Sequence, residues 1–422
     1  MRFLWLLFLL VSSTITGYAS ADRAPVKICV ISDIHFLSSR LAVKGEALTA
    51  YERSAGRNIR DQHAVLDQVL DAIEKEMPEI LLITGDMSNH GERHSHLSLI
   101  EKLQPLQQKG IRIVVIPGNH DVSVPDAKAY HGAQATVTET ISKEEFSELY
   151  SMFGYNDALS RDDASLSYLS AIDEKTWLLC LDTNRYDEHT TTSITGGRIR
   201  PQTLTWALAL LHEAKEKGIS VLGMMHHGLV EHLSYQSAFF PDYLVEDWEK
   251  QAEILADAGL RIVFTGHFHA SDISLRTSAA GNTIYDVETA TLAHYPYAWR
   301  MMNWNGTALS VETRFVTSLA GNAGFEEESR HRLESFTRRV VRNRLERMGM
   351  LMPGPTLEAL TDVIVKLSIL HMRGDEKPDR EMEKAIRHFA SLMGDDAETE
   401  TVTLDFPPDD NNVVIRLQEE MK

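Results

Sequence analysis

The chain has 422 residues, 43% of them apolar and 24% charged, an ordinary globular balance that excludes a disordered or fibrous class. This length exceeds one usual domain, and two are expected. A formal net charge of -19 excludes a nucleic-acid surface built on bulk positive charge, but leaves room for a small anionic substrate if metal ions supply the positive field.

Met1 and Arg2 precede the apolar run Phe3 to Val11, a Ser/Thr stretch, and Ala19-Ser20-Ala21 before Asp22. This pattern predicts a secretory signal peptide over residues 1–21, cleaved after Ala21, and export to a periplasmic, cell-surface or extracellular location. The apolar run falls well short of the ~20 residues that span a bilayer, so membrane contact is expected only if that segment stays uncleaved. From Val26 onward short apolar runs alternate with amphipathic stretches, the pattern of an α/β fold. The runs are VKICVISD, EILLITGD, IRIVVIPGNHD, TWLLCLDTN, ISVLGMMHH and LRIVFTGHFH. Cys29 and Cys180 lie inside two of them and read as buried core residues. Helical patterns cover Asp61 to Glu76, Glu92 to Lys109, Lys143 to Met152, Pro201 to Lys217 and Val245 to Ala258.

The segment from Phe36 to Arg60, with Arg40, Lys44, Arg53 and Arg57, lacks strong periodicity and reads as a loop, either solvated or covering a site. Tyr295 and Tyr297 follow a strand-like run and either pack a core, as strand-end aromatics more often do, or stack on a base. After about Thr317 the pattern becomes Arg/Glu-rich and helical, over Phe325 to Met348, Thr356 to Met372 and Asp379 to Met393. The expected division is therefore 22–317 for the α/β domain and 318–422 for a helical domain with an acidic tail, which includes a candidate last strand, VVIRL. The arginines of the first of these helices are interleaved with glutamates and apolar residues, as in an ordinary amphipathic helix.

Nearly every apolar run ends in a polar cluster, which is where open α/β sheets place their sites. Five blocks recur: Asp33-Ile34-His35, Gly85 to His90, Gly118 to Asp121, His226-His227 and Gly266 to His269. On a strand, side chains two apart point to the same side, so Asp33 with His35, and His267 with His269, could each reach one metal region. Gly85, Gly118 and Gly266 permit turns that aim the following residue at the strand mouth. Imidazole, carboxylate and amide oxygen without thiolate suit Zn, Mn, Fe or Co. Asp33, His35, Asp86, Asn119, His226, His267 and His269 are too many for one tetrahedral ion and fit two, with Asp86 as the bridging carboxylate. His227 competes with His226 for one of these places.

The D-x-H, G-D, G-N-H and G-H-x-H blocks, spread over roughly Lys27 to Ala270, resemble those of the calcineurin-like metallophosphoesterases. The resemblance implies a four-layer α/β/β/α sandwich. It implies one metal on Asp33, His35, Asp86 and His269 and a second on Asp86, Asn119, His226 and His267, with His226 preferred because the family uses the first histidine of such pairs. The ions would be two divalent metals, Fe, Mn or Zn, whose bridging hydroxide attacks phosphorus with no covalent enzyme intermediate. His120 matches the family histidine that stabilises developing charge or protonates the leaving oxygen, and Asn89 is expected to orient it. Several protein phosphatases of this fold place an acid at the position of Asn89, so this departure weakens His120 as an acid and disfavours that branch.

G-N-H-D with G-D-M-S-N-H-G-E resembles the cyclic-nucleotide phosphodiesterase branch, and FSELYSMFGYNDALS, SLSYL, TWLLCLDTNRY and GLVEH resemble exported bacterial members with a helical C-terminal domain. The implied function is hydrolysis of 3′,5′-cyclic AMP-type nucleotides, with a small phosphoester as partner and no nucleic acid. Two alternatives stand beside it: hydrolysis of other small organophosphates, and a secreted interaction protein without catalysis.

Overall fold

The computed structural model describes residues 24–234, 236–347, 353–392 and 409–417; the segment read as a signal peptide lies outside them. The six apolar runs form the strands Val26–Ile31, Ile80–Ile83, Arg112–Val115, Thr176–Leu181, Ser220–Met225 and Ile262–Thr265. Their almost continuous burial is what strands covered on both faces require.

Two sheets result. The first runs in the order Asn412–Arg416, Ala308–Phe315, Ala298–Trp304, Val26–Ile31, Ile80–Ile83, Arg112–Val115. Its last three strands are parallel and the others antiparallel. The second runs Ile273–Thr277, Thr283–Glu288, Ile262–Thr265, Ser220–Met225, Thr176–Leu181, Tyr168–Asp173, Ser160–Arg161. Thr283–Glu288 through Thr176–Leu181 are mutually parallel, and antiparallel strands flank them.

Strand alternation sorts the side chains into layers. Leu178, Cys180, Met224 and Phe264 of the second sheet share a core with Ile28, Val30, Leu81 and Val114 of the first. Their neighbours Leu179, Leu181, Met225 and Val263 face the other way, onto Ala207 and Leu211 of the Pro201–Lys217 helix and Ala252 and Leu255 of the Trp248–Asp257 helix. The helices Gln62–Glu76 and Arg93–Gln108 cover the first sheet through Val65, Val69, Ile73, Leu99 and Leu103. This is the expected α/β/β/α sandwich. Cys29 and Cys180 are free and buried, one in each sheet.

Three sequence expectations are settled or changed. The Phe36–Arg60 stretch is not a bare loop: it carries the helix Glu46–Ala55, and Arg57 beyond it is buried. Of the two readings of Tyr295 and Tyr297, core packing holds and stacking on a base does not. Tyr297 is buried, stacks on Phe325 with ring centroids 5.0 Å apart, and accepts a hydrogen bond from Asn58 at 2.8 Å. Tyr295 is buried and receives a hydrogen bond from Arg373 at 3.2 Å. Both aromatics thus pin the helices Phe325–Arg347 and Gly354–Arg373 to the sheets. Lastly, VVIRL does not stay with the helices. Asn412–Arg416 returns to the first sheet and pairs with Ala308–Phe315.

Two arginines of Phe325–Arg347 face the next helix, Arg338 2.5 Å from Asp362 and Arg342 2.8 Å from Glu358, while Arg330 pairs with Glu334 on its own helix. Such half-exposed pairs contribute little stability each, and they are the solvated side of an amphipathic helix. Asn412–Arg416 is tested by a pair of substitutions. Ile415→Ala, at a site 2% exposed, is expected to cost about 2–4 kcal/mol in urea unfolding, whereas Val414→Ala, 48% exposed, changes stability by less than about 0.5 kcal/mol.

Candidate metal centre

The carboxyl ends of the parallel strands of both sheets meet. Asp33 and His35 follow Val26–Ile31, Asp86 follows Ile80–Ile83, Asn119 follows Arg112–Val115, His226 follows Ser220–Met225, and His267 and His269 follow Ile262–Thr265. Thr84 ties the two sheets here: its hydroxyl donates to Ser32 Oγ at 2.6 Å, and its carbonyl accepts from His226 Nδ1 at 2.8 Å.

None of the D-x-H or H-x-H pairs lies on a strand, as the two-residue spacing had suggested. Asp33, His35, Asp86, His267 and His269 all have positive φ, between 46° and 75°. Residues with a Cβ visit that region rarely, and they cluster there where a site over-determines the backbone. The glycines also act differently from expectation. Gly85 does adopt φ 105°, but at Gly118 and Gly266 the constraint is space. A Cβ at Gly118 would lie 2.1 Å from Asp86 Oδ1, and one at Gly266 would lie 2.0 Å from Ser32 Oγ and 2.5 Å from Asp33 Oδ2.

Two groups of donor atoms form. In the first, His269 Nε2 is 3.1 Å from Asp33 Oδ1 and 3.2 Å from His35 Nε2, and His35 Nε2 is 3.6 Å from Asp86 Oδ2. In the second, His226 Nε2 is 3.5 Å from Asp86 Oδ1 and 3.3 Å from Asn119 Oδ1, and His267 completes a set with Asp86 and His226. Asp86 therefore turns one oxygen to each group. His227 faces away, its ring nitrogens 2.7 Å from Thr183 Oγ1 and 2.9 Å from Thr195 O. A cation held at about 2.0–2.2 Å by each donor leaves roughly 3–4 Å between donors, so both groups fit an ion each. Among the described residues, Asp33 Oδ1 is buried with no hydrogen-bond donor, which is costly unless a cation meets it. Burial works against the charge on Asp86, yet the fields of His226, His120 and His35 outweigh it and hold the carboxyl well below its usual range.

The sequence profile of the calcineurin-like phosphoesterases matches residues 26–271, more than half of the chain. The chain belongs to this family. A 103-residue stretch is 29% identical to a 3′,5′-cyclic-nucleotide phosphodiesterase of Nostoc sp., covering 24% of this chain and 34% of that protein. A 59-residue stretch is 37% identical to a probable cyclic nucleotide phosphodiesterase of Vesicomyosocius okutanii, covering 14% of this chain and 24% of that one. The matches thus span about a third of one relative and about a quarter of the other. A dimetal phosphatase of Danio rerio overlaps in structure with a TM-score of 0.49 at 13% identity, over 69% of this chain and 96% of that one.

Around the family's residues the structure adds a cation that sequence reasoning did not single out. Asn89 makes no bond to His120. Its side-chain oxygen instead accepts from Tyr51 at 2.6 Å and from Arg57 Nη1 at 2.9 Å, while its amide donates to Glu92 at 3.2 Å. Arg57 Nη2 in turn lies 3.4 Å from His120 Nε2. So Asn89 reaches His120 only through Arg57, and the expected direct orientation is replaced by a relay. An acid at position 89 would form an ion pair with this arginine; the neutral amide leaves its charge free to act on the site. Since a guanidinium only donates, His120 Nε2 is the acceptor and its ring is neutral, with its proton on Nδ1 toward His90 at 3.4 Å. Burial, reinforced by the Arg57 charge, keeps its pKa well below the usual imidazole range. No periodic signal marks Arg57 in its segment; the absence of an acid at position 89 was the available clue.

Asp121 holds the loops in place. It accepts N–H bonds from Gly118 and Met87 on one oxygen and from Ser88 on the other, with the Ser88 hydroxyl as a fourth donor, all at 2.8–3.1 Å. Burial and then the Asp86 charge push its carboxyl up to about 7, and the four donors oppose that rise. Asp121→Ala would leave three buried N–H groups unpaired. A loss on the order of 3 kcal/mol or more is expected in urea unfolding, with Asp121→Asn recovering only part of it.

Proposed function

We propose that this protein is an exported, metal-dependent phosphodiesterase that hydrolyses cyclic nucleotides of the 3′,5′-cyclic AMP type. The observation that carries the reading is Asp86, a buried carboxylate with one oxygen toward each of two His/Asp groups. In this reading Asp33, His35, Asp86 and His269 hold one divalent ion, and Asp86, Asn119, His226 and His267 hold the other. When bound, such ions would activate a water as nucleophile and offset negative charge on the phosphoryl oxygens. The His120 backbone N–H donates to Asp86 Oδ1 at 2.8 Å and so keeps the shared carboxylate aligned. His226 Nδ1 donates to the Thr84 carbonyl, which leaves Nε2 as the metal-facing nitrogen.

Arg57 is the positive charge on the His120 side. Its fork is held by Asn89 and Tyr51, so it can meet negative charge on the phosphoryl oxygens without reorganising. His120, unprotonated at Nε2, accepts from Arg57 at rest and can turn that nitrogen to accept a substrate proton. The substrate class is supported by the two relatives named as cyclic nucleotide phosphodiesterases, and export by the apolar segment before Asp22.

Two measurements test this. The protein reloaded with Mn²⁺ or Zn²⁺ is assayed on 3′,5′-cyclic AMP, a bis-aryl phosphodiester and an aryl phosphomonoester. Turnover of both diesters, abolished by chelator and restored by metal, is expected; turnover of the monoester alone refutes the diesterase reading. Arg57→Ala is expected to lower kcat by on the order of 10²-fold with metal content unchanged, and Arg57→Lys to recover part of it. Unaltered kcat in Arg57→Ala removes the arginine from the mechanism.

A further inference from the structure

A second cluster of metal-type side chains lies where the helices meet the sheets. Asp272 follows the His269 loop, His371 sits in the last turn of Gly354–Arg373, and Glu376 lies just beyond that helix. One donor atom from each falls within 4.8 Å of the others, and all three residues are buried. His371 Nδ1 is 3.7 Å from Asp272 Oδ2 and 2.5 Å from Glu376 Oε1.

Hydrogen bonds leave this cluster incomplete. Among the described residues, Glu376 Oε2 and His371 Nε2 are buried without a hydrogen-bond partner. Glu376 is 4% exposed. Acidic side chains also crowd here: the carboxyl groups of Asp272, Asp286, Glu288, Glu376 and Asp410 are all buried, close to Arg300, His232 and His371. A buried carboxylate is tolerated only where a cation or a hydrogen-bond donor meets it.

We propose that Asp272, His371 and Glu376 form a third divalent-metal site, separate from the Asp86 centre, that staples the helical region to the sheets. One imidazole and two carboxylates with no thiolate select an ion of the zinc or manganese class. His232 Nδ1, 2.7 Å from Asp272 Oδ1, supplies the outer hydrogen bond that fixes a ligating carboxylate. The ion brings two positive charges into the acidic cavity and gives Glu376 Oε2 a partner. Its ligands join residues about 100 positions apart in sequence, so it acts as a cross-link that binding energy sustains.

The site does not depend on the reading of the Asp86 centre, and metal counting separates the two. The full chain is stripped with chelator, dialysed to equilibrium against Zn²⁺, and its metal content measured by mass spectrometry. Three ions per chain are expected in the wild type and two in Glu376→Gln or His371→Gln. An Asp33→Asn, Asp86→Asn, His267→Gln triple variant, unaltered at the new site, should keep one ion, and adding Glu376→Gln should remove it. A triple variant with no ion overturns the proposal, whether or not the His371 variant folds. If the wild type holds a single ion that is lost in Glu376→Gln but kept in the triple variant, the third site stands and the dinuclear reading fails.

Discussion

The geometry of the sheet mouth is set by the need to hold the Asp86 carboxylate buried with both oxygens usable. The carboxylate enters from a residue at φ 49°, passes over Gly118 with no room for a Cβ, and is met by the His120 amide. Every nearby loop is shaped by this. Gly85 turns the chain into it, Asp121 gathers three amides to fix the loops on either side, and the histidines approach from the second sheet. Burying an anion unaided is expensive, so the carboxylate is tolerated only because imidazoles, and in the proposed holoprotein metal ions, surround it.

Left-handed backbone at five of the seven candidate ligands has an energetic meaning. Each such residue costs on the order of 1 kcal/mol or more, and the sheets recover that through apolar burial on two faces. A rigid sandwich is a suitable carrier for the load. Ile31, Ile83, Val115, Met225 and Thr265, the residues that end the supporting strands, are fully buried, so the loops begin from fixed points. The strained loops and the packed core are therefore two halves of one arrangement, in which burial holds donors where an unconstrained chain would not put them.

How much of this was legible in the sequence depended on how local the cause was. The six central strands were visible because strands buried on both faces read as unbroken apolar runs, and the site was visible because each run ends in ligand-type residues. The reason for Gly118 and Gly266 was not visible, since it lies in the side chains of Asp86 and Ser32 on other loops. Tyr297 could be read as a stacking platform as well as a core residue because its partner Phe325 belongs to a helix whose docking has no sequence signature. Arg57 was hidden in a segment without periodicity, and the meaning of Asn89 became clear only once the guanidinium was seen against it. Asn412–Arg416 was recognisable as a strand, but its neighbour in the sheet was a matter of topology.

That final pairing bears on how the molecule is made. The chain leaves the first sheet after Phe315, builds its helices, and returns at Asn412 to lie along Ala308–Phe315. During synthesis the strand Ala308–Phe315 therefore waits with one edge unsatisfied while roughly a hundred further residues are added, some seconds at ordinary elongation rates. An open edge is a template for pairing with another chain. The helices between the two strands are pinned to the sheets through Tyr295 and Tyr297. A product ending before Asn412 would keep every candidate ligand and leave this edge open.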